Sequence, residues 1–342
     1  MRLLNTHTIQ LEEFFDKVPP YAILSHTWAD EEVTFQDLEK PYHTAKVGYA
    51  NIKETCRLAR DDGYQYVWID TCCIDKSSSA ELSEAINSMF NWYKDASICY
   101  AYLADVSPTT TVPTEQCSPF GESRWFQRGW TLQELLASPQ LVFYSSDWAP
   151  IASKNSLKEL ISQITNIDEA YLISQSKNIA VLLEKASIAE RMSWASKRQT
   201  TRVEDIAYCL LGIFGLNMPL LYGEGKRAFL RLQEEIVRRF DDQSIFAWTS
   251  TIWDTADPEP LGFLADSPGC FAQSGHIIRH ATYSSSSNFS ITNKGLGITL
   301  RMLESALELN SYVLLQCQPR NAASSMVAVR LQKVSQNSIN GS

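Results

Sequence analysis

Apolar residues in the first 150 positions come in short, nearly continuous runs at Tyr21–Ser25, Tyr66–Asp70, Ile98–Leu103 and Gln140–Tyr144. Between the first two runs, Val47–Asp62 carries apolar positions three or four residues apart, which is the period of an amphipathic helix. Strands that are apolar throughout and alternate with helices are typical of a parallel sheet covered on both faces. We therefore predict an α/β domain over residues 1–150.

A helix is predicted to follow the second of these runs. Ser78 and Glu81 stand three residues apart, which is the spacing of a capping box at the start of a helix. Apolar side chains then recur with the helical period from Leu82 to Tyr93. This pattern predicts a helix over Glu81–Asp95.

Helical periodicity continues over residues 151–242. Thr201 and Glu204 repeat the capping-box spacing, and Gly215 stands where the helix that they open is expected to end. We predict a helical region with helices over Ser156–Ile164, Ser187–Ser196, Val203–Phe214 and Glu224–Phe240.

The rest of the chain changes to short apolar runs separated by turn-forming residues, among them Ser284–Ser287. This pattern predicts a β-rich C-terminal region over residues 243–335. Residues 336–342 are polar and are predicted to form a disordered tail. The predicted strands of the β-rich region are Ser244–Trp248, Phe289–Thr292, Gly297–Met302, Tyr312–Cys317 and Met326–Leu331.

Composition restricts the classes of partner. The chain has 342 residues, a net charge of −9 and a pI of about 5.2. Because nucleic-acid phosphates are bound by clustered Lys and Arg, nucleic acid is not an expected partner. The N-terminus lacks a basic start followed by an apolar core, and the most apolar run, Ile206–Tyr222, is interrupted by Gly, Asn and Pro. We expect no signal peptide, no membrane span and a cytoplasmic location.

The eight cysteines form no CxxC pair and no Cys/His cluster with zinc spacing. Cys72 and Cys73 are adjacent in the chain, and adjacent cysteines rarely form a disulfide with each other. We expect buried free thiols of a reducing compartment, with no metal site and no bound cofactor.

The segment Ser123–Leu136 carries the first candidate for chemistry. Trp130 and Glu134 are four residues apart and share a face of the helix predicted there, whereas Leu132 and Leu135 fall on the opposite side. A carboxylate beside an indole, with an apolar stripe behind it, is arranged like a positioned catalytic group. Exposed glutamates are common on helices, so these residues alone favour an ordinary surface side chain.

Polar residues also follow the first two predicted strands. Ser25, Trp28 and Asp30 lie at the end of the first strand or just after it, and Asp70 ends the second. In parallel sheets, ligands collect at the carboxyl ends of the strands, near a change in strand order. We therefore expect these side chains to converge on one crevice, although spacing does not establish whether Glu134 joins them.

Three motifs occur in a fixed order: YAILSHTW at Tyr21–Trp28, YVWIDTCCIDK at Tyr66–Lys76 and RWFQRGWTLQE at Arg124–Glu134. Together they resemble the fungal heterokaryon-incompatibility (HET) domain, over about Tyr21–Tyr144. The later segment Thr200–Ile236, followed by DDQSIFAW, resembles the helical region that often follows this domain.

The resemblance implies a role in fungal self/non-self recognition, an immune-type process in which activation leads to programmed cell death when unlike hyphae fuse. HET domains are distantly similar to TIR domains, which have a flavodoxin-like α/β sheet, and many TIR domains cleave NAD at the nicotinamide–ribose bond. Those enzymes use a glutamate in a WCxxE-like pattern on a helix. Trp130–Glu134 matches that place, with Thr131 where the pattern has Cys. The resemblance thus implies a TIR/flavodoxin-like fold, with Glu134 as the catalytic carboxylate and NAD as a substrate.

Cleavage of this bond passes through an oxocarbenium-like state, which a carboxylate near the ribose stabilises. In such a site Trp28 stacks on a base or on nicotinamide, Asp70 holds a ribose hydroxyl and Arg128 meets a phosphate. Plainer roles stay open: Trp28 packs under its loop, Asp70 caps a turn and Arg128 pairs with an acidic neighbour. The candidate binding residues are Ser25, Trp28, Asp30, Asp70, Arg128 and Trp130.

Two main functions therefore stay open, and an enzyme that acts on another nucleotide would share the crevice of the first and differ only in its ligand. One is a cell-death effector that hydrolyses NAD, self-associates on activation and acts with other incompatibility proteins. The other is a non-catalytic signalling or oligomerisation module that triggers cell death by binding partners. Hydrolysis predicts Glu134 in a solvent-reachable crevice near Trp28, whereas the module predicts that Glu134 is paired off or turned away, with an exposed apolar patch elsewhere.

Overall fold

The computed structural model describes residues 1–108, 112–173, 179–249, 262–280, 289–293, 295–304, 311–322 and 325–331. The chain divides into two compact units. Met1–Lys185 and Arg198–Gly225 form the first unit, and Ala186–Lys197 and Lys226–Ser342 form the second. The turn predicted at Ser284–Ser287 and the tail predicted over residues 336–342 lie outside the described residues.

A seven-stranded sheet forms the centre of the first unit. Its strands are β1 (Arg2–Asn5), β2 (Leu11–Glu13), β3 (Tyr21–His26), β4 (Tyr66–Trp68), β5 (Ile98–Tyr102), β6 (Leu141–Tyr144) and β7 (Pro150–Ser153). They are arranged in the order β2-β1-β4-β3-β5-β6-β7. The four central strands are parallel, whereas β1, β2 and β7 pair in the antiparallel sense.

The four parallel strands confirm the prediction from the apolar runs, because strands buried on both faces are apolar along their whole length. All six residues of β3 are buried. The three antiparallel strands were not predicted from the sequence. They have three or four residues each, and β2 and β7 contain no buried residue, so neither produces an apolar run.

Helices alternate with the strands along the first unit, and further helices belong to the second unit. Ser78 caps α3 as predicted, since its Oγ accepts the backbone N–H of Glu81 at 3.3 Å. Gly215 directly follows α11, where the helical segment was predicted to end, and its φ is 62°. The helices are α1 (Phe35–Leu38), α2 (Tyr49–Asp61), α3 (Ser79–Asp95), α4 (Arg124–Gln127), α5 (Trp130–Ala137), α6 (Lys158–Thr165), α7 (Glu169–Leu172), α8 (Ile179–Leu183), α9 (Ile188–Ala195), α10 (Asp205–Tyr208), α11 (Leu211–Phe214) and α12 (Arg227–Arg239).

The capping box predicted at Thr201 is wrong, and the single helix predicted over Val203–Phe214 is divided into α10 and α11. The carboxylate of Glu204 accepts the backbone N–H groups of Gly223 and Gly225, at 2.8 and 2.9 Å. Both glycines have positive φ, which the absence of a side chain permits. The side chain of Glu204, which immediately precedes α10, therefore holds a tight turn instead of capping that helix, and α12 begins only after this turn.

The order of the parallel strands creates a crevice. After β3, the chain forms β4 on one side of it and then crosses to form β5 on the other side, so the direction of strand addition reverses at β3. In open α/β sheets the carboxyl ends of strands that flank such a reversal leave room for a ligand. Ser25 and His26 end β3 at this point.

The second unit contains α9, α12 and three small antiparallel sheets, which pair β8 with β13, β9 with β10, and β12 with both β11 and β14. Most of the predicted strands here are confirmed at least in part. The strand predicted over Ser244–Trp248 is wrong, because Gln243–Phe246 forms a 3-10 turn whose first N–H groups are capped by Asp242. The strands of the second unit are β8 (Ile277–Arg279), β9 (Ser290–Thr292), β10 (Gly295–Gly297), β11 (Arg301–Glu304), β12 (Ser311–Leu314), β13 (Cys317–Pro319) and β14 (Ala328–Leu331).

Among the described helices, none combines the length and the apolar character that a membrane crossing needs. The two adjacent cysteines, Cys72 and Cys73, are buried free thiols, as predicted.

Candidate functional site

Glu134 of α5 is held inside the first unit by Ser25. The Oγ of Ser25 donates a hydrogen bond to Oε2 of Glu134, and the indole Nε1 of Trp125 donates to the same Oγ at 2.8 Å. Ser25 is fully buried and Glu134 is 6% exposed. The indole that completes this arrangement is therefore Trp125 from α4, a residue that sequence reasoning did not select although it lies in the same motif.

Burial makes Glu134 an unusual carboxyl group. Its removal from water raises its pKa from 4.5 to about 8, and the negative charge of Asp70 acts in the same direction. The hydrogen bond from Ser25 and the charge of His26 oppose this rise. Glu134 forms no salt bridge with a lysine or arginine of the described residues, so nothing fully offsets its desolvation. At neutral pH the group is therefore mostly protonated.

His26 lies at the end of β3 and is also buried, at 7% exposure. Burial opposes its positive charge, but the contact with Glu32 and the nearby charge of Asp70 together raise its pKa above the ordinary value. Its Nε2 lies 3.3 Å from Oε1 of Glu32. Its Nδ1 has no hydrogen-bond partner among the described residues. The imidazole is thus a second titratable group beside Glu134.

Trp28 and Asp70 meet at the surface above this buried group. The indole Nε1 of Trp28 donates to Oδ2 of Asp70 at 2.9 Å, and the ammonium of Lys76 lies 3.4 Å from the centre of a Trp28 ring. Trp28 is 44% exposed, so it does not pack beneath its loop. Asp70 orients the indole through this bond, which leaves one side of the aromatic system accessible to a ligand.

The other candidate residues do not all join this cluster. Asp30 is exposed and forms no hydrogen bond or ion pair with another described residue. The indole of Trp130 donates to Asp205 at 3.3 Å, and Arg128 donates to Thr201 at 2.7 Å. Trp130 and Glu134, which were expected to share a helical face, therefore contact different residues.

A pocket of about 290 Å³ lies beside Trp28. Its wall contains arginine, glutamine and threonine side chains and no carboxylate, so it offers mainly hydrogen-bond donors and positive charge. Arg124, one of the two arginines, also lies 3.7 Å from Asp105. The lining residues are Thr27, Trp28, Arg124, Gln127, Arg128, Gln199, Thr200 and Thr201.

A distant segment fixes the start of α5. Gln199 donates its backbone N–H to the carbonyl of Gln127 and accepts the N–H of Gly129, at 2.7 and 2.8 Å. A Cβ on Gly129 would lie 2.5 Å from the side chain of Thr200, so only glycine permits this approach. Buried Arg198 donates to the carbonyl of Arg128 at 2.8 Å and also to Thr131. Residues some 70 positions away along the chain thus hold the helix that carries Glu134.

Lys154 holds the other end of α5. Its buried ammonium donates to the carbonyls of Leu135 and Ser138, which the helix leaves without an intrahelical partner. Burial lowers the pKa of Lys154 to about 8. Both ends of the helix are therefore fixed by a cation, and Glu134 stands between them.

The arrangement favours a ligand that carries positive charge at Glu134 and negative charge beside Arg128. A cation next to Glu134 stabilises its ionised form and lowers its pKa, whereas phosphates suit the donors of the neighbouring pocket. Within the described residues, no group of three or more His, Cys, Asp and Glu side chains is placed to hold a metal ion.

Comparison with known proteins identifies the family. Residues 21–119 match the model of the heterokaryon incompatibility protein (HET) family. The chain is also 47% identical over 226 residues to the vegetative incompatibility protein HET-E-1 of Podospora anserina. The chain is a HET-domain protein. The α5 helix of the HET-domain protein, with Glu134, lies beyond the residues that the family model matches.

The remaining comparisons add less. The 226 aligned residues cover 64% of the chain but only 16% of the length of HET-E-1. Residues 227–295, in the second unit, match a domain of unknown function (DUF8212). The search of solved structures finds no match for this HET-domain protein.

Proposed function

We propose that this HET-domain protein acts in self/non-self recognition and cell death, and that its first unit cleaves NAD at the nicotinamide–ribose bond with Glu134 as the catalytic carboxylate. The recognition role follows from the incompatibility family and from the relative HET-E-1. In this proposal NAD is the substrate, and the protein acts in the cytoplasm.

The observation that carries the catalytic part is the buried carboxyl of Glu134, which has no lysine or arginine in ion-pair contact. A glutamine would accept the hydrogen bond from Ser25 without the free-energy cost of burying an ionisable group. Groups with strongly shifted pKa values that converge with other titratable groups cluster at functional sites. The presence of a glutamate at this position, with a pKa raised to about 8, therefore supports a chemical role.

The strand order supports a TIR/flavodoxin-like classification of this unit. Numbered along the chain, the parallel strands β3, β4, β5 and β6 have the spatial order 2-1-3-4. This is the order of the first four strands of flavodoxin-like sheets, which bind nucleotides at the carboxyl ends beside the reversal. Ser25 and Glu134 lie at that end.

The charge of NAD suits the two parts of the site. Its nicotinamide ring carries a positive charge, and its entry beside Glu134 favours loss of the carboxyl proton. The resulting carboxylate can then stabilise the positive charge that develops on the ribose as nicotinamide leaves. The pyrophosphate fits the donors that Arg128 and Arg124 present, and Trp28 offers a ring face for stacking.

Glu134 is nearly enclosed in the described state, so catalysis requires a movement that admits the substrate. We assign this state to a resting protein, and we propose that self-association or contact with other incompatibility proteins opens the site. Binding energy from such contacts can shift the population towards an open form only if that form makes the better contacts.

One observation favours a second function. Glu134 is paired with Ser25 and is 6% exposed, which is what a non-catalytic signalling or oligomerisation module predicts. In that case the carboxyl group stabilises or switches the fold, and cell death follows from partner binding alone. The two functions differ in whether NAD is consumed.

The deciding experiment measures NAD consumption by the purified chain over a range of protein concentrations, with Glu134→Gln beside the wild type. We expect turnover in the wild type that rises faster than linearly with concentration and that is lost in Glu134→Gln. The exposed Glu84→Gln on α3 is the matched control and should retain full turnover.

Turnover that is equal in the wild type and in Glu134→Gln would remove Glu134 from the reaction. Absence of turnover at every concentration, including after forced clustering on a fused oligomeric scaffold, would support the non-catalytic module instead. A cooperative unfolding transition in both variants, at a urea concentration no lower than that of the wild type, would establish that loss of activity is not loss of fold.

A further inference from the structure

A second pocket, of about 500 Å³, lies between α2 and the turn that follows β1. Asn5 at the end of β1 pairs with Tyr66 at the start of β4, so the turn after β1 lies at the amino end of β4. This turn supplies two of the lining residues, and α2 supplies the others. They are His7, Ile9, Tyr49, Lys53, Glu54, Arg57 and Arg60.

This position separates the second pocket from Glu134. The residues that line the second pocket do not include any that line the pocket beside Trp28. The two cavities are therefore distinct sites.

The second pocket is basic in an acidic protein. Three of its lining residues are Lys53, Arg57 and Arg60, against a single lining carboxylate, Glu54, while the chain as a whole has a net charge of −9. The ammonium of Lys53 makes no hydrogen bond or ion pair with another described residue. An exposed cation with no partner, placed beside two arginines, is suited to a phosphate group.

The two arginines keep donors for a ligand. Arg57 uses its Nε and one terminal nitrogen on Glu54 and Asp61, at 2.7 and 2.8 Å, and the remaining terminal nitrogen has no bond to either. Arg60 donates from one terminal nitrogen to the carbonyl of Thr6. A guanidinium carries five N–H donors, so each side chain can bind protein and phosphate together.

The other wall is rigid and has flat or apolar surfaces. Asn5 accepts the backbone N–H groups of His7 and Thr8 through its side chain, at 3.0 and 3.3 Å. Ile9 is held with φ at 54°, which is an unfavourable conformation for a β-branched residue. His7 and Ile9 from the turn and Tyr49 from α2 all line the pocket, and such aromatic and apolar side chains suit a planar ring.

We propose that this second pocket binds a nucleoside phosphate. The phosphates lie against Lys53 and Arg57, the base packs between the turn and Tyr49, and Glu54 accepts a hydrogen bond from a ribose hydroxyl. The volume falls in the range of ligand sites of about 300–1,000 Å³. The assignment is independent of NAD hydrolysis, because the second pocket shares no lining residue with the pocket beside Trp28.

The test is equilibrium dialysis of the full chain with ADP, with adenosine and inorganic pyrophosphate as separate probes. We expect ADP to bind more tightly than either probe, and Lys53→Glu to weaken ADP binding by about tenfold or more, because a charge-assisted contact becomes repulsive. Lys185→Glu makes the same charge change at an exposed site of the first unit outside the pocket, and should leave ADP binding unchanged.

Arg128→Gln separates the two pockets. If the proposal holds, Arg128→Gln retains the ADP affinity of the wild type, whereas Lys53→Glu weakens it. Equal ADP binding by wild type and Lys53→Glu, loss of binding in Arg128→Gln alone, or no ADP binding by the wild type at millimolar concentration would each overturn the proposal. Pyrophosphate that binds as tightly as ADP would overturn the nucleoside assignment. Lys53 is exposed, so its replacement should not unfold the chain.

Discussion

Ionisable side chains are buried at the carboxyl end of the parallel sheet and exposed to water at the amino end. At the carboxyl end, Ser25, His26 and Glu134 are buried, and each ionisable group among them has a shifted pKa. At the amino end, Lys53 and Arg57 stand in water beside an open pocket. Burial strengthens electrostatic interactions and makes their loss costly, whereas water screens the exposed charges. The carboxyl end should therefore control stability and its pH dependence, and the amino end should tolerate substitution.

The largest effect is expected from Arg198→Met, which removes the buried guanidinium from the carbonyl of Arg128 and from Thr131. Hydrogen bonds from a charged donor contribute about 1.5–3 kcal/mol each, so we expect the loss of both to lower the free energy of unfolding by about 3–6 kcal/mol. Urea unfolding measures this change. Arg202→Met, at an exposed position of the same segment, should change it by less than about 0.5 kcal/mol. Equal effects would contradict the role given to burial.

The next effect concerns pH. The pKa of Glu134 is 4.5 as an unperturbed group and about 8 in the folded chain, so between these values the folded state binds more protons than the unfolded state. Stability then falls as pH rises through this window, by up to about 1.4 kcal/mol per pH unit. Glu134→Gln removes this contribution and should become progressively more stable than the wild type from about pH 5 to about pH 8.

Urea unfolding at a series of pH values measures the difference between the two proteins, which cancels the groups that they share. Glu84→Gln on the exposed surface of α3 should show no such trend relative to the wild type. A difference between the wild type and Glu134→Gln that does not change with pH would mean that Glu134 is ionised in the folded chain. That result would also remove the physical basis for its assigned role.

A smaller effect is expected from Ser25→Ala. The hydrogen bond from Ser25 lowers the pKa of Glu134, so its loss should move the upper limit of the pH window above about 8. The indole of Trp125 also loses its acceptor, and an unpaired buried donor costs about 1–3 kcal/mol. The same pH series measures both changes. A window that ends at the same pH would indicate that Ser25 does not contact the carboxyl group in solution.

Much of the first unit was predictable because its parallel strands are buried on both faces. Such strands are apolar along their length and stand out from the sequence without knowledge of their partners. The antiparallel edge strands β2 and β7 are short and partly exposed, and their place depends on the strand beside them. No local pattern identifies them.

The candidate site was harder to predict for a different reason. A helical period assigns residues to faces, and a shared face for Trp130 and Glu134 requires that one side of α5 meets water. Every residue from Thr131 to Ala137 is buried, so this helix has no solvent face. Contacts from Trp125, Ser25 and Arg198 decide the position of Glu134, and these residues come from separate parts of the chain.

The smallest effect is expected at the amino end. Arg57 pairs with Glu54 and Asp61 on α2, and all three side chains are substantially exposed. Exposed pairs contribute about 0–1 kcal/mol, because water screens the attraction and two long side chains lose freedom. Arg57→Ala should therefore lower the free energy of unfolding by less than about 1 kcal/mol, and added salt should reduce this difference further. The free energy of unfolding could instead fall as far as in Arg198→Met, or by an amount that salt leaves unchanged. Either result would mean that the basic pocket supports the fold, and the contrast between the two ends of the sheet would no longer hold.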